Sequence, residues 1–222
     1  MKNKKPIISI IGDYFVGKTA IIESYLGYGF KINSITTIGI DIYPLKVKIK
    51  KKIYELSIKD TAGQEQYHSL SLNSVRNCQG IILVYSRNDF NSFHNIITNW
   101  INSINDLINL KKTPCILVEN KNDLELDEQI KEEEINNIIN EYNLTFIRSS
   151  AKENKNIKEI FEKITQLILE KKQKEEEKRK NTKYKMVDKE NDIIEVVEEY
   201  NNIGSFSISS SKHINENEKN FC

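Results

Sequence analysis

Residues Gly12 to Thr19 read Gly-Asp-Tyr-Phe-Val-Gly-Lys-Thr, the spacing G-x-x-x-x-G-K-T. Glycines at both ends let the main chain take angles that a Cβ forbids. The N–H groups of such a loop point inward and cradle phosphates. An apolar run, Ile7 to Ile11, precedes the loop, and a helical pattern, Ala20 to Leu26, follows it. That strand–loop–helix setting is what the motif requires. A helix starting at Lys18 adds the positive end of its dipole at the same place. Gly12, Asp13, Tyr14, Phe15, Val16, Gly17, Lys18, Thr19 and Ala20 are therefore expected around a nucleotide's phosphates. Lys18 would neutralise phosphate charge, and the Thr19 hydroxyl would ligate Mg2+. Tyr14 and Phe15 are bulky where close approach to phosphate favours small side chains.

Three further stretches carry chemistry. Asn120-Lys121-Asn122-Asp123 has the spacing N-K-x-D. A carboxylate such as Asp123 accepts two hydrogen bonds from guanine N1–H and its 2-amino group, and adenine offers no such pair. A site built on those bonds rejects the analogue that lacks them. Lys121 would lay its stem along the base, and Asn120 would tie this loop to the phosphate loop. Ser150-Ala151-Lys152 would offer a backbone N–H to guanine O6, and Phe30 would stack on the other side of the base. Asp60-Thr61-Ala62-Gly63-Gln64 supplies a carboxylate near Mg2+ and a glycine whose N–H meets the γ-phosphate. Thr37 would add a second hydroxyl to the metal. Gln64 would orient an attacking water, since its amide both donates and accepts. The expected metal set is thus Thr19, Thr37 and Asp60, and the expected catalytic residue is Gln64.

These loops need elements to hold them. Apolar runs or alternation predict strands at 7–11, 39–50, 53–58, 80–85, 114–118 and 144–148. Lys50-Lys51-Lys52 suits a hairpin turn between the second and third. Gly80 to Tyr85 is apolar throughout, as a strand covered on both faces requires. Helical spacing is expected over 66–77, over 91–110, over 127–142 with Asp127 as cap, and from Asn156 onward. Trp100 falls in the apolar stripe of the second of these and reads as helix packing. Strands and helices alternate from residue 6 to about 170, which predicts an α/β fold with helices on both faces of a six-stranded, mostly parallel sheet. This is a three-layer P-loop NTPase arrangement, in which ligands bind at the carboxyl ends of strands. Every candidate motif falls at such an end.

Composition excludes more than it assigns. The chain has 222 residues, 33 basic and 32 acidic, a net charge of +1, so no global field points to nucleic acid. The three cysteines, Cys78, Cys115 and Cys222, match no zinc spacing, and the first two are expected to be buried thiols. Met-Lys-Asn-Lys-Lys-Pro at the start has no apolar signal core, and no apolar run is long enough to span a bilayer. A cytoplasmic monomer is expected. Residues 1–172 are expected as the nucleotide-binding domain. Residues 173–222 are expected as a variable, largely disordered tail ending in Cys222.

With all five motifs in order, the chain resembles the Ras superfamily of small GTPases over roughly residues 6–172. Thr36-Thr37-Ile38-Gly39-Ile40-Asp41, Asp60 to Glu65 and Ser92-Phe93 look most like the Rab branch. The resemblance implies a G domain that binds GTP and GDP with Mg2+, hydrolyses GTP, and serves as a switch in vesicle traffic. A GTP-bound binding platform with little hydrolysis is the alternative, favoured by Tyr14 and Phe15. The resemblance also implies an exchange factor, an activating protein and effectors as partners. A lipid on Cys222 would add contact with the cytosolic face of endomembranes, although no C-a-a-X box is present and a single chain anchors weakly. The departures are Ile42, Lys59 and Val75 where Rab proteins usually carry aromatics facing effectors. Glu119 replaces a usual small residue, and Ser86 a usual aspartate.

Overall fold

The computed structural model describes residues 5–31, 37–63 and 68–179. The chain falls into two units, Met1–Gln173 and Lys174–Cys222. In the first, six strands form one sheet: β1 (Ile7–Ile11), β2 (Ile40–Ile49), β3 (Lys52–Thr61), β4 (Gly80–Ser86), β5 (Cys115–Asn120) and β6 (Thr145–Arg148). Their spatial order is β2-β3-β1-β4-β5-β6. Only β2 and β3 pair antiparallel, through a turn in which Lys50 takes a φ of 53°. The remaining neighbours are parallel. Of the second unit, residues 174–179 are helical.

Side-chain alternation divides the core between the two faces of the sheet. Ile82 and Val84 of β4 join Ile8 and Ile10 of β1 on one face. That face is covered by α1 (Lys18–Leu26) and by the helix over 157–173, here α6. Ile157, Ile160, Phe161, Ile164 and Ile168 of α6 are buried there, as the helical spacing requires. Ile81, Leu83 and Tyr85 point the other way, into a second cluster. This one is covered by α2 (His68–Val75), α3 (Phe90–Asn95), α4 (Ile101–Leu107) and α5 (Glu132–Tyr142). The order of strands reverses between β1 and β4, so the crevice for a ligand opens at the carboxyl ends of those strands.

Four expectations change. The helix expected over 91–110 is not uniform. A π-helical turn, Ile96–Trp100, separates α3 from α4, and Asn109 caps a short 3-10 turn at Leu110–Lys112. The helix expected from Asp127 starts at Glu132 instead. Asp127 does not cap it; its carboxylate accepts from the N–H groups of Phe90 and Gln129, which ties this loop to the start of α3. The third strand runs to Thr61, because Lys59, Asp60 and Thr61 continue to pair with Ile42, Asp41 and Ile40. Cys115 is buried as expected, whereas Cys78 is half-buried.

Candidate functional site

The phosphate loop is held open by glycine and by polar ties. Gly12 has a φ of 150°, and a Cβ on it would lie 2.1 Å from the carbonyl oxygen of Val84. Gly17 has a φ of 95°, and its Cβ would meet the Asn120 Nδ2 at 2.4 Å. Neither position has room for a side chain, so the loop lies tight against β4 and the Asn120 loop. Lys18 is buried beneath the loop and donates to the carbonyl oxygens of Gly12 and Asp13, at 2.8 Å each. Burial lowers its pKa to about 8, against the attraction of Asp60 and Asp13. A phosphate placed in the loop would favour its charged form again. Asp13 is gripped from α3 and the π-helical turn. Asn95 Nδ2 and Trp100 Nε1 donate to its two carboxylate oxygens, each at 2.6 Å.

Thr19, Thr37 and Asp60 converge although they lie on separate segments. The Thr19 hydroxyl donates to Asp60 Oδ2 at 2.6 Å and lies 2.9 Å from the Thr37 hydroxyl. Thr37 donates to the same carboxylate oxygen at 3.4 Å. Asp60 is fully buried, and its Oδ1 has no hydrogen-bond partner among the described residues. Burial raises its pKa, opposed by the hydrogen bond from Thr19 and by Lys18. An unsatisfied buried carboxylate oxygen beside two hydroxyls fits a hard divalent cation with oxygen ligands. Among the described residues no group of three or more His, Cys, Asp and Glu side chains forms a metal site alone. A Mg2+ here would rest on two hydroxyls, one carboxylate region and the phosphates themselves. Gly63 sits directly against the loop: a Cβ on it would fall 2.4 Å from Asp13 backbone atoms and 2.5 Å from Lys18 Nζ. Gln64 lies outside the described residues.

The side expected to face a base holds a cavity of about 400 Å³ lined by Gly17, Ala20, Phe30, Asn120, Lys121, Asp123, Leu124, Ala151 and Lys152. That volume is within the range of small-molecule sites. Phe30 and Lys121, expected to flank a base, are among its walls. Lys121 takes a φ of 62°, and its pKa is lowered by burial. Asp123 Oδ1 accepts from the Ser150 hydroxyl at 2.6 Å, and Lys152 Nζ lies 3.7 Å from Oδ2. Asn120 does what its position suggested: Nδ2 donates to the Val16 carbonyl at 2.9 Å, and Oδ1 accepts from Ala151 N at 3.2 Å. One side chain thus joins the phosphate loop to both base loops. A larger cavity, about 660 Å³, lies between α1, the β2–β3 hairpin and the start of α6, with Tyr25, Pro44 and Ile157 in its walls. It holds none of the candidate site residues above.

Sequence reasoning missed two sets of residues. Trp100 and Asn95 hold Asp13; Trp100 is buried as packing predicts, but its indole N–H also reaches the loop. The second set is Arg87 and Arg148 around the buried Glu119. The only advance signal was Glu119 itself, a charge directly after the apolar run Cys115 to Val118. Tyr14 is half-buried and Phe15 is 68% exposed, their ring centroids 3.7 Å apart. Phe15 takes a φ of 59°, the left-handed region that favours glycine. On the face where aromatics were expected, Ile42 is 64% exposed and Lys59 donates to the Ser74 carbonyl at 3.1 Å. Val75 is buried.

A model of the Ras family matches residues 7–170. Ras-related protein Rab-10 of Caenorhabditis elegans is 39% identical over 97 residues, 44% of this chain and 48% of that protein. Ras-related protein Rab-13 of Rattus norvegicus is 42% identical over 97 residues, 44% and 47% of the two chains. GTP-binding protein yptV2 of Volvox carteri is 41% identical over 95 residues, 43% of each. The chain spans about half the length of the curated relatives it matches. With the matched region running from β1 into α6 and taking in every loop of the site, the chain belongs to the Ras family of small GTPases and is Rab-like.

Proposed function

We propose that the chain is a guanine-nucleotide switch that hydrolyses GTP to GDP and phosphate and works in intracellular vesicle traffic. The observation that carries the switch is the meeting of Thr37 and Gly63 with the phosphate loop. Thr37 is bonded to Thr19 and Asp60, and Gly63 is in contact distance of Asp13 and Lys18. These contacts support the reading that Thr37 and Gly63 hold a γ-phosphate and lose that hold once it leaves. Mg2+ at Thr19, Thr37 and Asp60 would neutralise phosphate charge. Lys18 binds the phosphates, Asp123 and Lys121 read the base, Phe30 covers it, and Gln64 orients the water. Partners retained on GTP-loaded protein and absent from GDP-loaded protein are the expected result. Equal retention on both forms would end the switch reading.

Tyr14 and Phe15 favour a second reading, a GTP-bound platform with little hydrolysis. On this reading the two rings, packed against each other at the loop, crowd the space that a water-orienting glutamine or an arginine from an activating protein must enter. Single-turnover hydrolysis of GTP separates the two readings. Tyr14→Ser with Phe15→Gly should raise the rate with an activating protein present; an unchanged rate sinks the crowding argument. Residues 173–222 are proposed as a variable tail with membrane contact through a lipid on Cys222. Those from 180 onward lie outside the described residues. No helix among the described residues is long and apolar enough to cross a membrane. An unmodified Cys222 in the C-terminal peptide from native cells would remove the anchor.

A further inference from the structure

Glu119 is a carboxylate with no exposed surface, one residue before the Asn120 that joins the site's loops. A buried charge is tolerated only when it is paired and hydrogen-bonded. Here Arg87 Nη1 donates to Glu119 Oε1 at 2.9 Å, and the Tyr85 hydroxyl donates to Oε2 at 2.8 Å. Arg148, opposite Glu119 in the β5–β6 register, brings its Nε within 3.2 Å of Oε1.

Arg87 reaches further than the ion pair. Its Nη1 also donates to Asn122 Oδ1 at 2.7 Å. Its backbone N donates to the Asn120 carbonyl at 2.9 Å, and its carbonyl accepts from Asp127 N at 3.0 Å. It therefore fastens the loop that carries Lys121 and Asp123 at its beginning, middle and end. Replacing a buried ion pair with apolar groups is often neutral or stabilising, so stability alone is a weak reason for such a pair. Its geometry, by contrast, acts on one loop.

We propose that the Glu119–Arg87 pair positions the guanine-recognition loop, setting how fast the nucleotide leaves and how well Asp123 reads the 2-amino group. Glu119 holds Arg87 in place, and Arg87 holds Asn122, whose neighbour Asp123 faces the base cavity. Both are positioning residues and neither touches the base. The inference rests on the guanine-nucleotide reading of that cavity.

The test uses the full chain loaded with fluorescent GDP. Dissociation rate, relative affinity for GDP over IDP (which lacks the 2-amino group) and melting temperature are measured for wild type, Arg87→Gln, Asn122→Ala and the double variant. Each single variant should speed GDP release about tenfold, the loss of one hydrogen bond to a charged group. Each should also lower the GDP-over-IDP preference several-fold. The double variant should be no faster than the faster single one, because both cut the same link. A lower melting temperature with an unchanged preference and rate would mean a merely structural role and overturn the proposal. Should Arg87→Gln fail to fold, Asn122→Ala leaves the ion pair whole and decides alone. Wild type that binds no GDP would overturn the reading beneath the proposal as well. Wild type that binds while the variants match it overturns the proposal only.

Discussion

Trp100→Phe tests how far a helix on one face of the sheet controls the phosphate loop. The substitution keeps an aromatic ring in the buried site but removes the N–H that donates to Asp13 at 2.6 Å. A hydrogen bond to a charged acceptor contributes about 2 kcal/mol. The smaller ring gives up roughly two methylenes' worth of burial, about 1.5 kcal/mol. A total of about 3.5 kcal/mol lowers the melting temperature by roughly 10 °C for a domain of this size. Only the first contribution bears on the loop. If most of it is transmitted to the nucleotide, GDP release accelerates about tenfold.

Two companion variants isolate that contribution. Asn95→Ala removes the other donor to Asp13, at 2.6 Å, from a less buried place. It should speed GDP release with a smaller drop in melting temperature. Ile104→Val trims a buried side chain of α4 and should cost about 1 kcal/mol with GDP release unchanged. Stopped-flow release of fluorescent GDP, paired with thermal unfolding, reads all three. The reasoning is refuted if Trp100→Phe melts lower but releases GDP within twofold of wild type. In that case the indole is packing alone.

Gly17→Ala places a Cβ 2.4 Å from Asn120 Nδ2 at a φ of 95°. Left-handed strain and the lost Asn120–Val16 bond together should weaken GDP binding on the order of a hundredfold by fluorescence titration. Tight binding by the variant would show that Asn120 has somewhere else to go. Asp60→Asn should make GDP release insensitive to EDTA, while wild type releases faster in the chelator; matching responses would take Asp60 out of the metal site. Burial raises the Cys78 thiol to about 11, which leaves about one thiolate in a thousand at pH 8. Burial pushes Cys115 up as well. Iodoacetamide at pH 8 should therefore spare both in the folded protein, and rapid labelling of Cys115 found by peptide mass spectrometry would contradict its buried position.

The parts of this protein that were legible beforehand are those whose function fixes a spacing in sequence. A phosphate cradle needs its two glycines, lysine and threonine on one short loop, so Gly12 to Thr19 announce themselves. Asn120 and Asp123 are legible for the same reason, and the bond from Asn120 to the Val16 carbonyl followed from the roles of two motifs. What stayed hidden depends on contacts between segments far apart in the chain. Asp127 looks like a helix cap because it precedes an acidic, helix-like run. Its carboxylate is instead taken by Phe90, 37 positions away, and the helix waits for Glu132. The apolar stripe from Phe93 to Ile104 fits a plain α-helix, and the π-helical turn over Ile96–Trp100 leaves no mark in that pattern. Yet Trp100, the last residue of that turn, is the one whose indole bonds Asp13. The Glu119 pairs belong with these: the charge is visible in the sequence, while its partners sit on β6 and just beyond β4. Spacing within the chain thus marks the groups proposed to touch a nucleotide. On the proposed reading, how firmly they are held depends on the contacts of Trp100, Asn95, Arg87 and Arg148, residues outside every motif, and there two chains with identical motifs can differ in how long they keep the same ligand.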